Sequence, residues 1–157
     1  MNKAQFPSPR FPDFPSISVE VPEGWTPSSV PGTLMAVVKQ RGPEEFSPNV
    51  VITASRGVGT SWEEAETAVD EYVLGLAEVE STPRERVVLS DRRWSVLEFA
   101  HVSAAVGTVF QVIGVSLVEN GPFTDSIRVT GSAAPVDVRE LASVIRGIIA
   151  STEISLR

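Results

Sequence analysis

Few residues in this chain are of types that do chemistry. His101 is its one histidine. A histidine pair or a histidine-rich zinc site therefore cannot be assembled within one chain. It stands at the end of an expected strand beside Ser103, where an ordinary strand-end histidine is the simpler reading. Ser90, Ser95 and Ser103 are the nearest candidate nucleophiles, but no G-x-S-x-G elbow surrounds any of them. Carboxylates pair at Glu44-Glu45 and Glu63-Glu64. Acid–base work needs two carboxylates facing one cleft in different environments. Neighbouring glutamates in a loop or at a helix start are explained by solubility and the helix dipole.

Gly57-Val58-Gly59 lies between a strand and a helix, the position of a dinucleotide-binding turn. The third glycine of G-x-G-x-x-G would fall at Trp62, whose ring blocks close helix–strand packing. Glu63 and Glu64 also put negative charge where a pyrophosphate would sit. No cofactor is expected. The chain holds no cysteine, so disulfides, thiolate metal sites and thiol nucleophiles are all excluded. The expectation is a protein that is not an enzyme.

Composition narrows the partners. The net charge is -7 and apolar residues make up 42% of the chain. That apolar fraction supports a packed core, and the acidic balance repels phosphate backbones, so no nucleic acid is expected. No segment approaches the ~20 apolar residues of a membrane span. The N-terminus shows no signal peptide, which points to the cytoplasm. A removed leader would instead place the protein in the cell envelope or outside the cell.

The elements that would position any site follow from periodicity. Residues 1–15 hold Phe6-Pro7, Phe11-Pro12 and Phe14-Pro15 and are expected to form an extended Pro/Phe-rich arm. The domain proper is expected over residues 16–157. Ile17 to Val21 alternates as a strand, followed by strands near 33–39 and 49–55. Ser61-Trp62-Glu63-Glu64 is a capping box that opens a helix. Its apolar stripe is Ala65, Ala68, Val69, Tyr72 and Leu76, flanked by Trp62 and Val73, and Leu74 sits alone on the polar side. Strands near 86–89 and 94–102 form a hairpin. The strand at 108–118 is apolar on both faces and should be central. Asn120-Gly121 turns the chain, and Pro122 implies a loop longer than two residues before a strand at 126–131. A last helix over 136–151 carries Leu141, Ile145, Ile148 and Ile149 on one stripe, with Asp137 and Glu140 as a second capping box. The sum is an α+β fold, an antiparallel sheet of about six or seven strands with helices packed on it.

Four side chains are candidate partner contacts: Phe11 and Phe14 in the arm, Trp25 after a loop-making Gly24, and Leu74. For Trp25 the alternative is a plug at the edge of the core.

Val19-Glu20-Val21-Pro22-Glu23-Gly24-Trp25 resembles the opening of the LpqN/LpqT-like lipoproteins of actinobacteria, within the Mog1/PsbP-like, DcrB-related group. Phe46-Ser47-Pro48-Asn49-Val50-Val51-Ile52, the Ser61-Trp62-Glu63-Glu64 helix start, the 109–118 strand and the closing helix fit in the same order. The resemblance spans about residues 17–151. It implies an α/β/α sandwich and a non-catalytic, protein-binding or adaptor role, and it offers no catalytic residues to carry over. The chain departs from the lipoproteins in lacking a signal sequence and a lipidation cysteine. The expected function is thus a domain that binds another protein. The alternative is a carrier of an apolar small molecule or lipid, which an apolar pocket between sheet and helices would favour. A carboxylate-dependent hydrolase or transferase comes last. Homodimer formation through an uncovered sheet face stays open.

Overall fold

Strand β8 (Gly107–Asn120) alternates between two apolar sets, so both of its faces must be covered. In the computed structural model, which describes residues 1–156, one helix lies on each face. Ile113 and Val115 meet Ala65, Val69 and Val73 of α1 (Trp62–Leu74), together with Leu97 and Phe99. Val112 and Val118 look the other way, into a larger cluster with Leu141, Ile145, Ile148 and Ile149 of α2 (Val138–Ala150). Trp94, fully buried, anchors that second cluster.

The main sheet has eight strands rather than six or seven, and every pairing is antiparallel. Across it run β2 (Thr26–Ser28), β3 (Met35–Val38), β4 (Asn49–Gly57), β9 (Phe123–Ala133), β8, β7 (Arg92–Ser103) and β5 (Ala77–Ser81), with β6 (Glu85–Leu89) also paired to β7. The expected first strand is a shorter β1 (Ser16–Ser18) and lies outside this sheet. Its partner is β10 (Glu153–Ser155), the strand that follows α2, and together they form a separate ribbon. No helix among the described residues is long and apolar enough to cross a membrane.

Three local expectations are corrected. Asn120 pairs with Phe123, so Gly121-Pro122 is a two-residue turn after all. Gly121 at φ 59° supplies the left-handed first corner that such a tight turn requires, and proline's fixed φ suits the next position. The second capping box does not form. A 3-10 turn, Pro135–Asp137, leads into α2, and the Asp137 carboxylate pairs with Arg41 at 2.8 Å instead. At α1 the Ser61 hydroxyl does cap, accepting from the Glu64 N–H at 3.1 Å. The helix is nevertheless rotated from its expected stripe. Ala68 and Tyr72 are exposed, and Val73, expected at the flank of the stripe, is buried. The cause is electrostatic. Glu66 binds Arg84, Arg86 and Ser95, and Asp70 binds Arg84, which draws α1 towards the β6 side of the sheet.

Candidate functional site

The residues that could do chemistry are dispersed. His101 Nε2 lies 3.0 Å from Gln111 Oε1, and Gln111 Nε2 donates to Ser132 Oγ at 2.9 Å. None of the three serines meets the histidine. Ser95 donates to Glu66 at 2.6 Å, Ser90 to the Ala150 carbonyl at 2.8 Å, and Ser103 accepts from Ala105 N–H. Glu44, Glu45, Glu63 and Glu64 all stand exposed on the surface. Among the described residues no three His, Asp or Glu side chains gather as metal ligands.

The four expected contact residues part company. Leu74 projects from the end of α1 and is 80% exposed. Phe11 is 41% exposed, with the Arg10 guanidinium 5.9 Å from its ring centre. Phe14 is half-buried and spoken for. Arg56 stacks on it at 4.6 Å and on Phe123 at 4.7 Å. The same Arg56 grips Asp125 through two hydrogen bonds, 2.6 and 2.9 Å, and holds the Pro12 and Asp13 carbonyls. Asn120 adds a bond to the Asp13 carbonyl. The arm is therefore docked along the β8–β9 turn. Trp25 is only 7% exposed and belongs to the α2-side core. It plugs the core edge and offers a partner little surface.

What Trp25 anchors is open. The loop that follows it passes over β2 to β3, while the chain from β1 runs alongside. Between them lies a groove of about 840 Å3, lined by Ile17, Val19, Val21, Pro27, Val30, Pro31, Thr33, Leu34, Met35 and their neighbours. Val21, Val30 and Leu34 stay 41–42% exposed there. No lining residue is charged, although 21% of the chain is. Contiguous exposed apolar surface of this kind marks interaction sites. Sequence reasoning marked Trp25, at the head of this loop, but missed the β1 side, which only the β1–β10 pairing brings near.

A second cavity, about 580 Å3, lies between α2 and the β6–β7 hairpin. Its floor is Val87, Leu89, Val96, Val112 and Ile149. Its rim includes Glu98 and Arg146, which are paired with each other. A third, smaller pocket of about 240 Å3 sits on the α1 side around Arg128.

No protein-family model matches the sequence, and no curated protein matches it. Solved structures do. LpqN, described as involved in cell envelope biogenesis of Mycobacterium tuberculosis, superposes with a TM-score of 0.76 at 16% identity, over 90% of this chain and 84% of that one. Cyanobacterial PsbP (CyanoP) of Synechocystis gives 0.56 at 14% identity, over 98% of both chains. The Saccharomyces cerevisiae Ran-binding protein Mog1p gives 0.55 at 14%, over 88% of this chain and 89% of that one. The fold is thus Mog1/PsbP-like, with an LpqN-like relative among its structural neighbours, as the residues between 17 and 151 had implied.

Proposed function

We propose that this protein is a non-catalytic binding domain whose groove between the β1 segment and the β2–β3 rim receives an uncharged, apolar segment of another protein. The observation that carries this reading is the groove's lining: exposed Val21, Val30 and Leu34 in an open trough without one charge. Burying such surface contributes about 25 cal/mol per Å2, and a partner side chain removes it from water. The adjoining elements are suited to holding the groove in shape. Met35, Val37, Ile17 and Val19 turn their other sides into the α2 core, so the floor is rigid. The described task of Mog1p, binding Ran, is of the same kind. LpqN's place in envelope biogenesis makes envelope proteins the first partners to screen.

The test is affinity capture with the intact protein beside two variants, Val30→Asp and Leu34→Asp. A partner retained by the parent and lost from both variants, with their melting temperatures unchanged, supports the reading. Equal retention by all three rejects it.

A second reading has its own observation. The cavity under α2 is apolar-floored and of the size that holds a small ligand. In that reading the protein carries an apolar molecule between α2 and β6–β7. Solvent extraction of the purified protein, followed by mass spectrometry, should then release a stoichiometric lipid or hydrocarbon, which Val87→Trp would displace. A protein that yields nothing leaves the groove as the sole candidate.

A further inference from the structure

One row of side chains crosses the α1 side of the sheet. Strand pairing places Arg86, Ser95, Val115, Arg128 and Thr53 shoulder to shoulder on β6, β7, β8, β9 and β4. Direct cross-strand neighbours on one face stand about 5 Å apart. The helix lies over the middle of the row and leaves an arginine on each flank. Arg86 is matched by Glu66 at 2.9 Å. Arg128 is matched by nothing: among the described residues no hydrogen bond or ion pair engages it, and no carboxylate lines its pocket. Arg41, Arg56, Arg84, Arg86 and Arg146 all hold an acidic partner. Arg128 is half-buried and, among the described residues, holds no acidic partner, as Arg92 and Arg93 hold none; the Tyr72 hydroxyl is the one group that acts on it electrostatically.

The pocket around it is polar in a particular way. Thr53, Ser55 and Ser126 bring three hydroxyls to it, and none of them has a hydrogen-bond partner within the described protein. Ser55 and Ser126 are themselves directly paired, two register positions along from Thr53 and Arg128 and so on the same face. Ala65, Ala68 and Val115 close the remaining sides with small or apolar surface. Holding a cation half out of water without a counter-charge costs free energy. Burial indeed lowers the Arg128 pKa from its ordinary value, with only Tyr72 acting against it. A guanidinium fork with hydroxyl donors beside it is matched in geometry to a planar or tetrahedral oxyanion.

We infer that this pocket binds the oxyanion group of a small ligand, a carboxylate or a phosphate monoester, with Arg128 as the anchoring cation and Thr53, Ser55 and Ser126 as hydrogen-bond donors. At about 240 Å3, against about 30 Å3 for a water molecule in the liquid, the space fits the anionic head of a metabolite rather than a polymer. The site is on the opposite side of the sheet from the groove and stands whether or not the groove binds protein.

Calorimetric titration with inorganic phosphate and, separately, with acetate at constant ionic strength tests it. The wild-type protein should bind at least one of them saturably. Phosphate as the tighter ligand points to a phosphate monoester, and acetate to a carboxylate. Arg128→Gln should weaken binding roughly ten- to a hundredfold, the weight of a charged hydrogen bond. Ser126→Ala should weaken it less, and Arg139→Gln, a surface change elsewhere, not at all. Ala68→Glu places a carboxylate at the pocket rim, where it becomes Arg128's partner. It should raise the melting temperature and abolish anion binding together, a result independent of whether Arg128→Gln folds. Saturation by neither anion, or unchanged binding in Ala68→Glu, would overturn the inference.

Discussion

Arg56 joins segments 44 and 69 residues away from it in sequence, since its guanidinium bonds the Pro12 carbonyl while gripping Asp125. Asp125 is fully buried, so removing it leaves a cation without its counter-charge. Asp125→Ala should cost roughly 3–5 kcal/mol in urea unfolding. It should also free the arm, so that trypsin cuts after Arg10 sooner than in the parent. Glu66 gives a prediction in pH. Arg86 most of all, then Ser95 and Arg84, hold its carboxyl below the ordinary value of 4.5, against the opposing pull of burial. A folded pKa below the unfolded one means stability that is fully present above about 4.5 and drains away as acid protonates the folded group. Glu66→Gln should therefore lower the unfolding midpoint at neutral pH and flatten its fall on acidification. Neither Arg56 nor Arg128 was legible as special in the sequence. A side chain's partner is set by strand register, and register joins residues dozens of positions apart. Trp25 shows the converse, because a tryptophan after a glycine has the same pattern whether it faces a partner or the core.

The long elements were legible because their periodicity is strong: β4, α1, β7, β8, β9 and α2 all stand close to where alternation and the helical stripe put them. Of the short ones, β3 and β6 were also legible, but β2, β5 and β10 were not. β2 holds Pro27 and no alternation, β5 holds Val79 as its single large apolar residue, and β10 has only three residues. Each exists because a neighbouring strand supplies its ladder. The rotation of α1 was hidden for another reason: hydrophobic pattern sets which stripe can face the sheet, but the Glu66 and Asp70 ion pairs choose the angle. Packing at α2 can be tested at a glycine. A Cβ on Gly131 would overlap the Ile145 side chain, which is itself fully buried. Gly131→Ala should destabilise by about 1–3 kcal/mol through overpacking, read as a lowered melting temperature. The Ser61 cap is a milder case, and Ser61→Ala should cost about 1 kcal/mol.

For the molecule as a whole, the two sheet edges matter as much as the faces. β2 carries Pro27, and β5 carries a bulge with Glu78 at φ 50° and Glu80. Proline, bulges and edge charges all discourage strand addition. A partner is therefore expected on side-chain surface, not as an added strand. Since no charged residue lines the groove, affinity should depend little on salt. Raising sodium chloride through the physiological range should leave the dissociation rate of the complex unchanged. The most direct test is photo-crosslinking in native extract, with the photoreactive side chain at position 34 in the groove or at position 88, where Val88 is more exposed still, on β6. One discrete adduct from position 34 and none from position 88 is the result predicted. Equal adducts from both, or an adduct from position 88 alone, would contradict the groove as the binding surface.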